Sequence, residues 1–296
     1  MKTVAVLGGT GFVGRALCRQ LDAGGRWRVR VVTREPSRAA PLAGLPCVGV
    51  EVADVHVDAS LRTAIAGADA VVNLVAILHG SAGAFRQAHV ELPRRLARAC
   101  AHEGRPRLAQ VSALGVGPDA HSLYLRSKTE GERALREHRP DAVLLRPSVI
   151  FGREDRFLNT FERLQRFAPI VPLACSDALF QPVWVEDVAS ALVACLERSD
   201  TDGATFECAG PDVLTLRQLV ELAGRRGGVR RPVVALPPPL ATIQAWVMEH
   251  LPGEPLMTRD NLLSMRTPNV ATPGAPSLRD LGIVARPLQD DLALDR

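Results

Sequence analysis

The single tyrosine of this 296-residue chain, Tyr124, stands four residues before Lys128, one of only two lysines among 36 basic residues. Four residues span about one turn of a helix, so a helix here would place the phenol and the ammonium on one face. The cation would then lower the pKa of the phenol and allow it to exchange protons near neutral pH. The spacing predicts a catalytic acid–base pair, with a surface tyrosine beside a surface lysine as the alternative.

A glycine-rich turn near the start of the chain predicts a dinucleotide site. Gly8, Gly11 and Gly14 follow an apolar run and open an amphipathic stretch. In a strand–turn–helix unit, these glycines would allow a tight turn, close approach of a pyrophosphate and close packing of helix on strand. The same turn contributes Thr10, Phe12 and Val13 to the predicted cofactor site, with the amides of the last two as phosphate donors. A glycine turn that binds no nucleotide is the alternative.

The end of the predicted second strand indicates which dinucleotide is bound. NAD sites carry an acid here that binds the ribose hydroxyls, whereas this chain has Arg34 and, four residues later, Arg38. A guanidinium at this place accommodates a 2′-phosphate. We therefore expect NADP(H) to be preferred and NAD(H) to remain possible, with solvated surface arginines as the competing interpretation.

Further cofactor contacts are predicted where later strands end. Asp54 would accept a hydrogen bond from the adenine amino group, or it is a turn residue. Ser112 ends the fifth predicted strand and is either a cofactor contact or a strand-end turn residue. The other residues predicted to contact the cofactor are Val55, Leu74, Val75, Ala76 and Pro147.

Apolar runs alternate with amphipathic stretches through the first half of the chain. Strands are predicted at residues 3–7, 29–33, 48–52, 70–74, 108–112 and 142–145, and helices at 13–22, 61–66, 85–102 and 124–137. Strands that are apolar throughout and separated by helices form parallel sheets covered on both faces. The predicted fold is therefore α/β, a doubly wound parallel sheet of the Rossmann type.

A smaller C-terminal α/β lobe is predicted to follow. Residues 1–152 and about 181–200 would form the dinucleotide-binding domain, with 181–184 returning to the sheet as a strand before a helix at 187–198. Residues 153–180 and 201–296 would form the smaller lobe. Its predicted elements are a helix at 157–167, a strand at 205–208, a helix with Thr215 as N-cap, a strand at 233–236 and a helix at 240–251.

The helix at 240–251 has an apolar face made of Leu240, Ile243, Trp246, Val247 and Leu251. Such a face most often belongs to a lid over a substrate pocket or to an ordinary core. A membrane-facing or partner-facing surface is the alternative.

Composition narrows the possible partners and compartments. The net charge of +4 is modest and the arginines are scattered among acids, which argues against nucleic acid. No apolar stretch of about 18 residues predicts a transmembrane helix, and the first apolar run is too short for a signal peptide. Six cysteines without C-x-x-C spacing are interpreted as reduced core thiols, and seven dispersed histidines indicate no metal site. We expect a cytoplasmic protein.

The glycine spacing together with Tyr124 and Lys128 resembles the short-chain dehydrogenase/reductase superfamily and is similar to its extended branch. The resemblance implies that the tyrosine donates or accepts a proton, and that the lysine holds the nicotinamide ribose and lowers the tyrosine pKa. Residues 146–152 look like the family segment whose backbone meets the nicotinamide. Asp187 matches a late aspartate of the family, or it is a helix cap.

Two positions depart from that family pattern. Leu114 stands where extended-branch enzymes usually carry a catalytic serine or threonine, and His89 stands where they carry an asparagine. A ketone oxygen in such a site would lack a hydroxyl donor. Losing one donor of this kind typically costs a factor of roughly a hundred or more in rate.

The partial set of catalytic residues resembles an atypical branch of the superfamily, which includes the NAD(P)H-binding accessory subunit of respiratory complex I and its bacterial relatives. Residues 111–115, 180–188 and 251–253 are similar to segments of that branch. The resemblance implies NADP(H) binding for structure, assembly or sensing near complex I or quinone chemistry. It also implies a protein or membrane-surface partner, with a peripheral location at the inner face of the membrane.

Two other functions stay open. The first is a working NADP-dependent oxidoreductase or epimerase-like enzyme, acting on a small hydroxyl, carbonyl or quinone-like substrate through Tyr124. The second is an interaction module without nucleotide, for which the glycine turn would have no use.

Overall fold

The computed structural model describes residues 1–250, 253 and 255–289. Its strands are β1 (Lys2–Leu7), β2 (Trp27–Thr33), β3 (Val48–Val52), β4 (Ala70–Asn73), β5 (Arg107–Val111), β6 (Val143–Pro147), β7 (Ile150–Phe151), β8 (Val171–Leu173), β9 (Leu179–Phe180), β10 (Val183–Trp184), β11 (Thr205–Cys208), β12 (Leu214–Thr215) and β13 (Val233–Ala235). Its α-helices are α1 (Phe12–Gly24), α2 (Asp58–Ile65), α3 (Ala82–Arg86), α4 (Leu92–His102), α5 (Leu123–Arg136), α6 (Phe157–Phe167), α7 (Val185–Glu197), α8 (Leu216–Arg226), α9 (Pro238–Glu249) and α10 (Arg259–Ser264).

Seven parallel strands of the described chain form the central sheet, in the order β3-β2-β1-β4-β5-β6-β11. The order reverses between β1 and β4, because the chain returns from the β3 edge to the middle of the sheet. In an open parallel sheet, that reversal creates a crevice at the carboxyl ends of the strands, where ligands bind. The predicted doubly wound α/β fold is confirmed.

Helices cover both faces of the sheet because the β1 side chains alternate between them. Val4 and Val6 pack in one core with α1 and α7, whereas Ala5 and Leu7 pack in a second core with α2 and α4. All four side chains are fully buried. The strand is therefore apolar throughout, as expected for a strand in the interior of a parallel sheet.

The helix predicted at residues 85–102 is interrupted by a π-helical turn at Gln87–Glu91, between α3 and α4. Pro93 has no N–H to donate to the carbonyl of His89, four residues earlier, and its ring clashes with that position in a regular helix. Helix α5 packs directly against the His89 carbonyl in this wider turn. A Cβ atom at Gly131 of α5 would lie 1.8 Å from the His89 carbonyl oxygen, so only glycine fits there.

The C-terminal part builds small sheets and its own core. Strands β8 and β13 pair in parallel, and β9 pairs antiparallel with β12. Thr215 begins α8 with a capping box that includes Gln218, which confirms the predicted N-cap. Helices α6 and α8 contribute Leu158, Leu219 and Val220 to an apolar core beneath these sheets.

Two strand placements predicted from the sequence are wrong. The segment 181–184 does not return to the central sheet: β10 pairs only with β7, in a separate two-stranded sheet. The seventh strand of the central sheet is β11, which the sequence analysis assigned to the smaller lobe; it pairs with β6. Both segments are short and contain polar as well as apolar residues, so the local pattern could not show which of them joins the central sheet. The division into two domains stays a prediction.

None of the helices in residues 1–250, 253 and 255–289 has the length and hydropathy needed to cross a membrane.

Gly131→Ala should destabilise the protein, although alanine is the better helix former. The added methyl group must displace the His89 carbonyl, and overpacking of this kind typically costs about 1–3 kcal/mol. Gly24→Ala, in α1, is the matched control because no atom lies within 4 Å of its Cβ position. Urea unfolding of both variants measures the difference. Equal stability of the two variants would contradict the proposed contact.

Candidate functional site

The glycine turn lies at the carboxyl end of β1, beside the crevice. Gly8 has a φ of 79°, and a Cβ there would lie 3.1 Å from the carbonyl carbon of Leu74 at the end of β4. A Cβ at Gly14 would lie 2.5 Å from the Gly8 oxygen, so helix α1 packs on the turn as closely as the sequence predicts. Gly11 is the N-cap of α1, and the sole neighbour of a Cβ there would be the Gly8 oxygen at 3.2 Å. Space therefore remains beside Gly11 for a phosphate to approach the backbone.

The loop after β7 lies against the phosphate side of this turn. The ring of Phe12 approaches Gly152, where a Cβ would be 3.2 Å from the ring edge. Arg15 donates to the Thr10 carbonyl at 2.6 Å and forms an ion pair with Glu154. Val13 is half-buried in the first turn of the helix. The amides of Phe12 and Val13 lie at the start of α1, where the helix dipole favours an anion.

The two arginines predicted to bind a 2′-phosphate have different surroundings. Arg38 donates to Glu35 at 2.7 Å, and both side chains are exposed. Arg34 is exposed and forms no ion pair or side-chain hydrogen bond with any residue that the structure describes. Of the two guanidiniums, that of Arg34 is the one available to a phosphate.

Asp54 follows β3 and shapes its own turn. Its Oδ1 accepts from the His56 N–H at 2.9 Å, and its own N–H donates to Ser60 at 3.0 Å. Asp54 is therefore a turn residue through Oδ1. Its Oδ2 accepts no hydrogen bond from the described residues. Val55, the next residue, is buried.

At the end of β4, Leu74 and Val75 are half-buried and Ala76 is exposed. Sequence reasoning missed the residue that shapes this end. Asn73 is buried; its side chain accepts from the Val75 N–H at 3.2 Å and donates to Gln110 at 3.0 Å. A polar residue inside an apolar strand was the available signal.

Tyr124 and Lys128 both lie on α5, over the end of β5. Lys128 is 4% exposed, and its Nζ donates to the Val111 carbonyl at 3.3 Å. Burial lowers the pKa of Lys128 to about 8, although the Glu132 carboxylate acts in the opposite direction. Burial also raises the pKa of Tyr124 to about 12. The lowered tyrosine pKa predicted from the sequence is therefore wrong for this structure, because burial takes the phenolate out of water and so favours the neutral phenol.

Ser112, Leu114 and Pro147 complete this end of the crevice. Ser112 is 3% exposed, and its Oγ has no hydrogen-bond partner within the described residues. A buried hydroxyl of this kind requires a polar partner, which a ribose or amide group of a dinucleotide would supply. Leu114 is fully buried, and its N–H donates to the Pro147 carbonyl at 2.9 Å. At the position where the sequence resemblance implies a catalytic hydroxyl, the structure thus has an apolar side chain of the interior.

His89, at the asparagine position, connects three parts of the site. Its Nε2 accepts from the Ile77 N–H at 3.1 Å, so the proton of the neutral ring is on Nδ1. Nδ1 lies 2.8 Å from Ser127 Oγ, which in turn donates to the Tyr124 carbonyl at 2.7 Å. Burial, and secondly the Lys128 ammonium, lower the pKa of His89 to about 3. The ring is therefore neutral near pH 7 and fixed in one tautomer.

Three further side chains hold the backbone around the site, and of these sequence reasoning missed Asn269 and Asp260. Asn269 Oδ1 accepts from Ser148 Oγ at 2.6 Å, just after β6. Asp187 accepts from the Arg286 N–H at 2.8 Å and thereby holds the C-terminal segment. Asp260 binds the start of α5. Residues 251–253 form one of the segments that resemble the atypical branch. Of these, Leu251 and Pro252 lie outside the described residues.

Tyr124 should stay protonated until well above pH 10, because burial raises its pKa to about 12. As the single tyrosine of the chain, it gives one signal when the protein is labelled with tyrosine carrying 13C at the ζ carbon. An NMR titration of that signal measures the pKa directly. A midpoint at or below pH 10 would show that Lys128 dominates after all.

Comparisons with known proteins agree with this architecture. The family model described as the NAD dependent epimerase/dehydratase family matches residues 4–209. The chain is 32% identical, over 96% of its length and 77% of the relative's, to the Mus musculus protein named NADH dehydrogenase (ubiquinone) 1 alpha subcomplex subunit 9, mitochondrial. It is 27% identical to a ceramide reductase of Caulobacter vibrioides, over 82% of this chain and 78% of that protein.

A solved structure shows the same fold. It is described as a nucleoside-diphosphate-sugar epimerase from Staphylococcus aureus and matches with a TM-score of 0.78 and 16% identity over 99% of each chain. The glycine turn, the strand order and these matches lead to one conclusion: the chain is an NAD(P)-binding Rossmann protein and belongs to the NAD dependent epimerase/dehydratase family.

Proposed function

We propose that the protein binds NADP(H) mainly for a structural, assembly or sensing role, in connection with complex I or quinone metabolism. The observation that carries this proposal is Leu114, which is fully buried where the extended branch has its catalytic hydroxyl. Stabilisation of a developing oxyanion needs a preorganised donor, and leucine has none. Similarity to a subunit of a mitochondrial NADH dehydrogenase supports the same role.

The second catalytic partner is also altered. His89 uses both ring nitrogens within the protein, for Ile77 and Ser127, so neither nitrogen is free to relay a proton. The phenol of Tyr124 forms no hydrogen bond with any side chain in the described ranges. A tyrosine whose pKa is about 12 gives up its proton reluctantly near neutral pH.

The groups that hold a cofactor are retained. Lys128, with a pKa of about 8, is mainly protonated at pH 7 and can donate to a ribose hydroxyl. The hydroxyl of Ser112 is buried close by and lacks a partner in the described chain. When bound, the dinucleotide would supply hydride chemistry; these residues bind and orient its ribose whether or not a substrate reacts.

Arg34 supports NADP(H) over NAD(H) in this proposal. Its guanidinium is exposed at the end of β2, where an NAD site would have an acid, and Glu35 is already paired with Arg38. NAD(H) binding stays possible in this proposal.

A working oxidoreductase or epimerase-like enzyme is the second candidate. The retention of both Tyr124 and Lys128 on one helix face favours it, and the Caulobacter vibrioides relative is named a reductase. A quinone-like, carbonyl or hydroxyl substrate would have to react without the donor that Leu114 replaces.

The partner part of the proposal rests on helix α9. Ala241 and Ala245 face the core, whereas Leu240, Ile243, Trp246 and Val247 are 44–57% exposed. Ordinary core, one of the meanings that the sequence favoured for this stripe, is therefore excluded for these four side chains. An exposed apolar face of this size commonly marks an interaction surface. Whether it binds a protein or the inner face of a membrane stays a prediction, as does the cytoplasmic location.

Arg34→Ala should weaken NADP(H) binding selectively. Loss of a charge-assisted hydrogen bond to the 2′-phosphate costs about 1.5–3 kcal/mol, and NAD(H) affinity should hardly change. Arg28→Ala is the matched control, because Arg28 is exposed near the opposite end of the same strand. Isothermal titration calorimetry measures all affinities. Equal affinities of the unmodified protein for both dinucleotides would contradict the assignment of Arg34.

Tyr124→Phe should leave NADP(H) affinity almost unchanged, whereas Lys128→Met should weaken it measurably through loss of the ribose hydrogen bond.

Gly11→Val should fold but not bind NADP(H), because its side chain blocks the approach of the pyrophosphate to the amides. NADPH oxidation with carbonyl, quinone and nucleotide-sugar substrates should be absent or very slow. Rapid oxidation that Tyr124→Phe abolishes would establish the second candidate instead.

A further inference from the structure

The first turn of α5 is capped by two residues that lie far apart in the chain. Ser122 Oγ accepts from the Leu125 N–H at 3.1 Å. Asp260 of α10 accepts hydrogen bonds from two further N–H groups of this turn. Its Oδ1 lies 2.6 Å from the Leu123 nitrogen, and its Oδ2 lies 3.0 Å from the Tyr124 nitrogen. These N–H groups have no partner within a helix, and a carboxylate there also interacts favourably with the helix dipole. One side chain of the C-terminal lobe thus completes the start of the helix that carries Tyr124.

Asp260 is itself held in a defined position. Helix α10 begins with a capping box, in which Thr258 and Asn261 exchange hydrogen bonds of 2.9 and 3.1 Å. Arg259 donates to Glu249 at 2.9 Å and so ties α10 to α9. The carboxylate is therefore presented to α5 by a short, braced helix.

Tyr124 is held on both sides of its backbone. Its N–H donates to Asp260, and its carbonyl accepts from Ser127 Oγ. Its ring makes edge contacts with His89 and Phe85, at centroid distances of 5.5 and 6.2 Å. Of these contacts, the bond to Asp260 is the one that comes from another lobe.

The chain after α10 is anchored independently of Asp260. Asn269 Oδ1 accepts from the Val149 N–H at 2.9 Å, and the Thr272 N–H donates to Glu207 at 2.6 Å. Loss of the Asp260 carboxylate would therefore release α10 from α5 without detaching the segment that follows.

We propose that Asp260 is a positioning residue for Tyr124, and that α10 acts as a lid which its carboxylate clamps onto the start of α5. Tyr124 keeps its half-buried position only while this clamp is closed. A molecule that enters between α10 and α5 must open the clamp and thereby change the surroundings of the phenol. This inference goes beyond the proposed function and does not depend on it, because the hydrogen bonds of Asp260 to α5 form within the protein and require no bound dinucleotide.

The first readout is the titration of Tyr124, followed by NMR with the ζ-13C label. In Asp260→Ala, the pKa should fall from about 12 toward the ordinary value of 10. Burial is what raises this pKa, so hydration of the phenolate on opening of the lid should lower it. Asp280→Ala is the matched control: Asp280 likewise caps a backbone N–H of the C-terminal segment, that of Ser277 at 2.7 Å, and does not contact α5. Its Tyr124 titration should equal that of the unmodified protein.

The second readout is amide hydrogen exchange at the start of α5. In Asp260→Ala, the Leu123 and Tyr124 amides should exchange about tenfold faster or more, as expected for the loss of one hydrogen bond each. The Leu125 amide, which Ser122 caps, should keep its rate. A general loss of stability would accelerate all three amides, so this contrast separates positioning from unfolding.

Asp260→Asn provides the graded test, because the amide oxygen can accept one of the two hydrogen bonds. It should give intermediate exchange and an intermediate tyrosine pKa, and it decides the question if Asp260→Ala does not fold. The proposal is overturned if the titration and both amide rates in the folded Asp260 variants match those of Asp280→Ala.

Discussion

The site depends on a backbone contact between two helices, which a proline makes possible. Pro93 cannot donate to the His89 carbonyl, and the helix widens into a π turn around that carbonyl. Only a glycine can approach it closely, and α5 supplies Gly131. Helix α5 therefore lies unusually close to the π turn, and this distance lets Ser127 meet the ring of His89. Tyr124 is placed by the same contact.

Close packing also sets the electrostatics of the site. Burial favours the neutral form of each group: it raises the pKa of Tyr124 and lowers those of Lys128 and His89. The ammonium of Lys128 still predominates at neutral pH, so the site keeps a cation for a ribose hydroxyl. Its phenol is at the same time a weak acid. The packing that brings these groups together thus suits the holding of a dinucleotide better than fast proton transfer.

Contacts with the C-terminal third of the chain hold the backbone around the site. Asn269 holds the backbone after β6, Asp187 holds the terminal segment, and Asp260 caps α5. Each contact joins residues about 100 or more positions apart in the chain. The apolar outer face of α9 is connected to this set through the ion pair between Glu249 and Arg259. The same short helix α10 thus contacts both α9 and the start of α5.

The sequence by itself determined the features that depend on near neighbours in the chain. Strand and helix periodicity predicted the doubly wound sheet, the glycine spacing predicted the turn after β1, and Thr215 predicted the start of α8. Each of these features follows from backbone sterics or from burial of one face. Both effects depend on residues that lie only a few positions apart in the chain.

Tertiary structure alone decided which neighbour covers each face and how much water each polar group loses. Local pattern could not show that β11 rather than β10 joins the sheet, because both segments are short and their partner strands are distant in the chain or set by tertiary packing. It could not foresee that Asp260 caps a helix 136 residues earlier in the chain. The direction of the Tyr124 pKa shift was mistaken for the same reason. Spacing within a helix reveals the nearby cation, whereas the cost of desolvation is set by distant segments that close over the site.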